Sequence, residues 1–304
     1  MSLSVEQLIQ RAAEALENAS VYFGHGSDNA FDEAAELVFF VLGLRHEDAV
    51  ANYPQLTTDH EQTAVLALVQ QRIERRIPAA YLTQRMWFAS HEFFVDERVL
   101  VPRSPIAELI EMHYAPWIDG ALIHQVLDIG TGSGCIAVAT ALALPQVRVD
   151  AADVSETALA VTRINIDKHG LAARVRPMLS DVFDGVGHAR YDLIVSNPPY
   201  VSAAELQALP AEYRREPELG LLAGNDGLSI VRRILAQAEK HLNPHGILVV
   251  EVGNTEEALL NAYPRVPFIW LEFERGGGGV FVLTAAQLAE HRKDLRLSAA
   301  RVAQ

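Results

Sequence analysis

A glycine-rich turn between an apolar strand and a helix constrains the fold of this 304-residue chain more than any other feature. It lies in the segment VLDIGTGSGC, residues 126–135, and carries Gly130, Gly132 and Gly134. Because glycine has no Cβ, such a turn lets a ligand approach the backbone closely. A dinucleotide-binding turn has a small residue in the sixth place of G-x-G-x-x-G, but this turn has Gly in the fifth place and Cys135 in the sixth, which disfavours NAD. It also lacks the Lys and Ser or Thr of a nucleotide phosphate loop, so it predicts a ligand site of another class.

From about Ile106 onward, apolar strand-like runs alternate with helical patterns, which is typical of βαβ units and a mostly parallel sheet. The predicted strands cover residues 125–129, 147–152, 175–179, 193–196 and 247–252. The predicted helices cover residues 135–144, 156–169 and 228–242. Two last strands, 268–273 and 280–283, are separated by four glycines and predict an antiparallel hairpin at the sheet edge. The fold class is therefore α/β.

The first 80 residues have the apolar spacing of amphipathic helices, with repeats of three and four over residues 31–42 and 66–77. The stretch from 81 to 105 differs, because aromatic and β-forming residues are followed by prolines, and it predicts a short hairpin. We therefore expect a small helical domain at 1–80, a β-hairpin linker at 81–105 and a main domain at 106–304 whose tail from Ala285 is helical and charged.

Charge narrows the range of partners, because 25 Lys and Arg stand against 39 Asp and Glu, a formal net charge of -14. This is the wrong sign for a protein that binds by neutralising many phosphates, so duplex DNA is disfavoured. The acidity is already present in residues 1–90, which hold 6 basic and 12 acidic residues. Such a surface serves solubility, or it attracts a basic partner.

The sequence predicts no disulfide, metal site or membrane span. The single cysteine, Cys135, cannot pair internally and is better explained by small core packing. His241 and His245 are four residues apart, but Asn243 and Pro244 interrupt the helix between them. No apolar run approaches the roughly 20 residues of a membrane helix, and the first residues lack the basic start of a secretory signal. We therefore expect a cytoplasmic protein.

Two acids follow the glycine turn in the order expected for a nucleoside site. Asp153 comes at the end of the second predicted strand, 19 residues after Gly134, where a carboxylate can accept hydrogen bonds from both hydroxyls of a ribose. We prefer it to Asp150, which lies earlier in that strand and farther from the crevice. Asp181 and Val182 then close the third strand, where a base would find one polar acceptor and apolar packing. A loop Asp that caps its own backbone is the alternative.

The fourth strand runs into Asn197, Pro198, Pro199 and Tyr200. Two consecutive prolines stiffen this turn and leave carbonyls without competing amide donors. Asn197 Oδ1 and the Pro198 carbonyl can then accept both hydrogens of a planar NH2 group, with Tyr200 packed against its plane. An amide nitrogen is a weak nucleophile because its lone pair is delocalised, so two aligned acceptors help by stabilising the charge that develops during attack. A purely structural Pro-Pro turn is the alternative.

These motifs resemble those of class I S-adenosylmethionine-dependent methyltransferases that act on amide or exocyclic amino nitrogens. The resemblance lies in GTGSG at 130–134, Asp153, SDVF at 180–183 and NPPY at 197–200. Within that class the chain, apart from its terminal dozen residues, is similar to the protein-(glutamine-N5) methyltransferases, in which a helical N-terminal domain precedes a Rossmann-like, mostly parallel sheet. Segments 24–34, 87–106 and 212–228 resemble the branch that modifies large-subunit ribosomal protein three. The release-factor branch has an Arg-Pro-Asp-Thr-Glu run where this chain has RSPIA at 103–107.

The resemblance implies S-adenosylmethionine as the cofactor and two sets of site residues. The cofactor set is Asp128, Gly130, Thr131, Gly132, Ser133, Gly134, Asp153, Asp181, Val182 and Asn197. The catalytic set, which would hold the glutamine amide, is Asn197, Pro198, Pro199 and Tyr200. Residues 1–80 would recognise the substrate and 106–304 would form the catalytic domain. The implied partner is a basic ribosomal protein of the large subunit, with no role for DNA or a membrane.

Three other functions remain open at this point. The first is glutamine methylation of peptide-chain release factors. The second is methylation of an amino group in a nucleic acid, which should bring a basic recognition surface that this charge balance does not offer. The third is a noncatalytic assembly factor that binds a ribosomal precursor protein, which would not need an intact NPPY.

Two features next to these motifs have more than one interpretation. Arg103 either orients the domains or the substrate, or it forms an ordinary surface ion pair. The acidic segment Glu212–Leu219 is either a lid that recognises residues flanking the glutamine or a plain surface loop.

Overall fold

The computed structural model describes residues 2–300, and the first part of it is a helical bundle. Its helices are α1 (Val5–Asn18), α2 (Ala30–Leu42), α3 (Ala49–Asn52), α4 (Asp59–Arg75) and α5 (Ala79–Thr83). Helix α1 begins where Ser4 and Gln7 form a capping box, and α4 begins at a second box of Thr58 and Glu61. The apolar faces of α1, α2 and α4 meet in one core.

A short hairpin connects this bundle to the main domain. It consists of β1 (Met86–Phe88) and β2 (His91–Phe93), which pair antiparallel, and it leads into an extended segment. The amide of Asn165 accepts from the Phe94 N–H at 2.7 Å and donates to the Phe94 carbonyl at 2.9 Å. The same side chain donates to the Ser133 carbonyl at 2.8 Å. The segment after the hairpin is therefore anchored beside the glycine turn.

The main domain is built on a seven-stranded sheet. Its strands are β3 (Gln125–Ile129), β4 (Arg148–Asp153), β5 (Val175–Leu179), β6 (Tyr191–Ser196), β7 (Leu242–Glu251), β8 (Ile269–Trp270) and β9 (Val280–Thr284). The strand order is β5-β4-β3-β6-β7-β9-β8, with β3 to β7 parallel and β9 antiparallel to both neighbours. The chain continues from β3 to β4 on one side and later returns to β6 on the other. The carboxyl ends of β3 and β6 therefore flank a topological switch point, where α/β proteins bind ligands.

Helices cover both faces of the sheet. The helices of this domain are α6 (Ile106–Glu111), α7 (Cys135–Ala143), α8 (Glu156–Lys168), α9 (Ala203–Ala208), α10 (Ser229–His241), α11 (Glu256–Ala262), α12 (Ala285–Glu290) and α13 (Arg292–Ala300). Successive residues of a strand point to opposite faces, so Val126 and Leu127 belong to different cores. Cys135 is buried in the first of these cores, where burial raises the pKa of its thiol.

The α/β fold with a mostly parallel sheet is confirmed, and the differences from the predicted elements are confined to their ends. The last two strands do form an antiparallel hairpin at the sheet edge, with β9 next to β7 and β8 outermost, but β8 has two residues where six were predicted. After β8, the backbone N–H groups of Glu274 and Arg275 donate to Glu108 of α6, each at 2.9 Å, so this stretch is satisfied without strand pairing. Helix α5 continues to Thr83, past the predicted start of the hairpin linker.

Among residues 2–300, no helix combines the length and the apolar character needed to cross a bilayer. The same range contains no group of three or more His, Cys, Asp or Glu side chains that could hold a metal ion.

Candidate functional site

A cleft of about 720 Å³ opens at the carboxyl ends of the parallel strands. The glycine turn, the end of β4 and the NPPY segment line it on the side of the sheet. Residues 97–104, Leu209, Tyr213 and residues 217–222 also line it. We call residues 209–222 the cleft wall. The predicted site residues that line this cleft are Gly130, Thr131, Gly132, Ser133, Asp153, Asp181, Val182, Asn197, Pro198, Pro199 and Tyr200.

The three glycines of the turn have different tasks, although all have positive φ. No heavy atom lies within 4 Å of the position that a Cβ of Gly132 would occupy, so the turn is open to a ligand at that point. A Cβ at Gly134 would lie 2.8 Å from Thr162 Cγ2, so this glycine permits close packing of α8 against the turn. Thr162 Oγ1 also donates to the Gly132 carbonyl at 2.8 Å. Thr162 of α8 therefore fixes the backbone of Gly132 while leaving its Cα open to a ligand.

Asp128 lies beneath the turn and does not line the cleft. Its Oδ2 accepts from Thr131 Oγ1 at 2.6 Å and from the Ala137 N–H at 3.1 Å. Its Oδ1 is buried with no hydrogen-bond partner among the described residues. Burial raises the pKa of this carboxyl to about 7, against the opposing effect of those two hydrogen bonds. Asp128 thus supports the turn and keeps one acceptor atom unused, and its contact with a cofactor remains a prediction.

Asp153 ends β4 at the floor of the cleft. Its Oδ2 accepts from the Gly132 N–H at 2.9 Å and its Oδ1 accepts from the Ser155 N–H at 2.8 Å. The residue is only 9% exposed, and burial raises its pKa against the opposing effect of these bonds. The rival Asp150 instead binds Arg176 and accepts from the Tyr191 hydroxyl, and it does not line the cleft. Of the two acids, Asp153 alone is placed to meet a ligand beside the turn.

Val182 has a φ of 55°, a backbone conformation that is strongly unfavourable for a β-branched residue. Ser180 holds it there, because its Oγ donates to the Val182 carbonyl and accepts from the Gly185 N–H, both at 2.9 Å. Asp181 forms an ion pair with Arg233 of α10, with Nη1 and Oδ1 2.8 Å apart. Both residues line the cleft, but part of the hydrogen-bonding capacity of Asp181 is already used by the protein.

The NPPY segment lies directly beside the glycine turn. The Asn197 carbonyl oxygen and Pro198 Cα are 3.9 and 4.0 Å from the position of a Cβ on Gly130. The preceding residue, Ser196, donates from Oγ to the Ile129 carbonyl at 2.7 Å, which fixes the ends of β6 and β3 together. The side-chain amide of Asn197 lines the cleft and makes no hydrogen bond to any residue that the structure describes. An unpaired amide beside an open glycine turn can receive a polar group of a bound molecule.

Sequence reasoning missed the residues that hold Tyr200. Its hydroxyl donates to Glu251 Oε1 at 3.2 Å, and Ser104 Oγ donates to Glu251 Oε2 at 2.5 Å. Its ring lies against Gly253, where a Cβ would be 2.6 Å from Tyr200 Cε2. One signal could have found this arrangement, because the sequence VVEVG places an acid and then a glycine at the end of a strand parallel to that of NPPY.

The cleft wall is attached to the linker segment and to the helical bundle through two buried glutamates. Glu216 accepts from both guanidinium nitrogens of Arg103 at 2.6 and 2.7 Å and from the Val101 N–H at 2.9 Å. In the helical bundle, His25 Nε2 lies 3.4 Å from Glu216 Oε2. Burial of Glu216 is outweighed by His25 and Arg103, which hold its pKa at about 2.

Glu212 makes the second attachment. It accepts from Arg72 Nη1 at 3.1 Å and from the Tyr22 N–H at 3.0 Å. Arg72 is fully buried and also donates to Glu33 at 2.6 Å. The segment 212–219 is therefore more than a plain surface loop, and Arg103 is more than a surface ion pair.

Two domain families match the chain. The PrmC N-terminal domain matches residues 7–83, and the Methyltransferase small domain matches residues 115–211. The ribosomal protein uL3 glutamine methyltransferase of Neisseria meningitidis serogroup B is 45% identical over 286 residues, which is 94% of each chain. The protein of the same name from Neisseria gonorrhoeae is 45% identical over 94% of this chain and 95% of its own length.

A more remote likeness is found among solved structures. The hMettl16 catalytic domain in complex with MAT2A 3′UTR hairpin 1 aligns at 16% identity, over 84% of this chain and 92% of that chain, with a TM-score of 0.49. At that distance the RNA of the complex says nothing about what this chain binds.

Proposed function

Since the chain belongs to the family of ribosomal protein uL3 glutamine methyltransferases, we propose that it transfers a methyl group from S-adenosylmethionine to the side-chain nitrogen of a glutamine in uL3. The observation that carries the chemistry is the position of the unpaired Asn197 amide, next to a glycine turn that is open to a ligand. The glycine turn suits the methyl donor, and the Asn197 amide suits the acceptor amide.

The residues present fit S-adenosylmethionine. Gly132 leaves room for its close approach, and the cleft-lining Asp153 carboxylate would accept from its ribose hydroxyls. The unused Oδ1 of Asp128 is a buried acceptor beside the same turn. Asp181 and Val182 would lie at the adenine, and the remaining residues of the turn, Thr131, Ser133 and Gly134, would shape the site. When bound, the cofactor would supply a methyl group on a positively charged sulfur, which keeps the electron pair of the carbon–sulfur bond when that bond breaks.

The NPPY segment would hold the methyl acceptor. Asn197 Oδ1 and the Pro198 carbonyl would accept hydrogen bonds from the two N–H groups of the glutamine amide. This would turn the amide nitrogen toward the glycine turn. Pro199 stiffens this turn, and Tyr200 would pack against the plane of the amide. As the nitrogen forms its bond to carbon it gains positive charge, which two aligned acceptors stabilise. One N–H proton then leaves to solvent, so no strong general base is needed.

Residues 1–80 would recognise the protein substrate and residues 106–304 would carry the reaction. The acidic charge of the chain suits a ribosomal protein, which is basic because it binds RNA. The same charge makes DNA a poor partner. We place the protein in the cytoplasm, where its substrate would be made and assembled.

A competition experiment tests this function. The purified protein is incubated with S-adenosylmethionine and an equimolar mixture of uL3, a peptide-chain release factor and a DNA duplex, and each is analysed by mass spectrometry. We expect one methyl group on a glutamine of uL3, and roughly a hundredfold slower methylation of that glutamine when Asn197→Ala replaces the wild type. Preferential methylation of the release factor would move the chain to that substrate, and methylated DNA would overturn a protein substrate altogether.

A further inference from the structure

A buried carboxylate lies behind the NPPY segment without touching the cleft. Glu251, the last residue of β7, is 4% exposed and is not among the residues that line the cavity. Each of its oxygens accepts one hydrogen bond, from the Tyr200 hydroxyl and from Ser104 Oγ. A buried carboxylate is costly unless such donors compensate it, so its presence at this position calls for a reason.

Close contacts hold the ring and the backbone of Tyr200, and a hydrogen bond holds its hydroxyl. A Cβ at Gly253 would be 2.6 Å from ring atom Cε2, and a Cβ at Gly227 would be 2.3 Å from the Tyr200 carbonyl oxygen. The ring and its backbone are therefore closely enclosed on those two sides. The hydroxyl end is fixed by Glu251, which is itself tied to Ser104 in the segment that leads into the main domain.

We propose that Glu251 is a positioning residue for methyl transfer, which fixes the ring of Tyr200 against the acceptor amide and links that ring to the Ser104 segment. This inference rests on the proposed function, in which Tyr200 packs against the glutamine. Both partners of Glu251 are hydroxyl donors, so the ionised carboxylate satisfies both at once, whereas a protonated carboxyl must offer one of its oxygens as a donor.

The ionisation of Glu251 falls in an accessible pH range. Burial raises its pKa to about 7, although Ser104, Tyr200 and the charge of Arg103 all act in the opposite direction. Arg103 and Tyr200 are the charged or titratable groups of the surrounding segments that act on it, and burial keeps the pKa of Tyr200 above its usual range. Positioning by the carboxylate should therefore weaken as the pH falls below about 7.

The test compares Glu251→Gln, Tyr200→Phe and the double variant with the wild type, using uL3 as substrate. We expect each single change to lower kcat by roughly tenfold, with the dissociation constant of S-adenosylmethionine within about twofold of the wild type. Because both changes break one interaction, the double variant should be little slower than the slower single variant. The fall of wild-type kcat below pH 7 should be absent in Glu251→Gln.

Asp192→Asn is the matched control, since Asp192 is also 4% exposed and accepts from backbone and side-chain donors, but at the opposite end of the sheet. It should leave kcat and its pH profile unchanged. Full activity of Glu251→Gln, multiplying effects in the double variant, or an equal loss of cofactor affinity would overturn the proposal. If Glu251→Gln does not fold, Tyr200→Phe decides, because wild-type kcat in that variant means the hydroxyl contact has no role. A wild-type protein that methylates no glutamine would instead refute the proposed function, and this inference with it.

Discussion

Asp153 has two backbone donors of its own and would still offer lone pairs to a ligand in the cleft. We expect Asp153→Ala to weaken binding of S-adenosylmethionine by about 1–3 kcal/mol, because a charged acceptor for the ribose is lost. Isothermal titration calorimetry measures this directly. Asp150→Asn is the control, since Asp150 pairs with Arg176 outside the cleft and its change should leave the affinity as it was. Equal affinities of the wild type and Asp153→Ala would refute the ribose contact.

Asn197 should act on the methyl acceptor more than on the cofactor. Asn197→Ala removes one of the two proposed acceptors for the amide hydrogens, so we expect the rate of methyl transfer to fall roughly a hundredfold. Because its side chain has no partner among the described residues, the fold and the cofactor affinity should change little. Turnover and calorimetry on the same preparation give both quantities. A parallel loss of affinity and rate would mean that Asn197 acts on the cofactor and that its role at the methyl acceptor is wrong.

The raised pKa of Asp128 predicts how the stability of the fold depends on pH. Its pKa is raised to about 7 in the folded chain, so the unfolded chain gives up this proton at lower pH than the folded one. The free energy of unfolding should therefore fall as the pH rises from about 4 toward 7. The side chain of Asp128→Asn cannot ionise. Thermal unfolding at pH 5.5 and 8 should therefore show a smaller loss of stability between these two pH values in this variant than in the wild type. Identical losses in the two proteins would contradict a raised pKa at this position.

At the scale of elements, the cleft wall depends on ion pairs that reach the linker and the helical bundle. Glu216→Gln leaves Arg103 without its charged partner, so we expect a stability loss of about 3 kcal/mol or more and faster amide hydrogen exchange over residues 209–222. The KM for the protein substrate should rise more than the dissociation constant of S-adenosylmethionine. Glu156→Gln, which breaks an exposed pair with Arg163, is the control and should change neither. Unchanged exchange in the wall would show that it is held by other contacts.

At the scale of the whole molecule, the net charge of -14 should assist encounter with a basic substrate. Charges in solution are screened over about 10 Å at 0.1 M salt, so kcat/KM for uL3 should fall as salt rises from about 0.05 to 0.3 M. A short uncharged glutamine peptide should show a much weaker dependence. The same kcat/KM for uL3 at both salt concentrations would rule out electrostatic steering.

Local patterns determined the elements and the order of the site motifs. Strand and helix periodicity depends on backbone geometry within a few residues, which is why β3 and β5 begin and end at the predicted residues. The glycine turn, Asp153 and NPPY were found for a related reason. Parallel strands bring their carboxyl ends to one edge, so residues that follow successive strands converge there.

Only the tertiary structure decided which side chains support those motifs. Ser104 and Glu251 are 147 residues apart in sequence, and Arg103 and Glu216 are 113 apart. Arg72, fully buried in the helical bundle, likewise finds Glu212 across the domain boundary. A single sequence indicates that such residues are charged, but a partner at that separation depends on how the whole chain packs. The sequence by itself therefore determined which motifs meet at the carboxyl edge of the sheet, and the packing of distant segments decided what holds them in place.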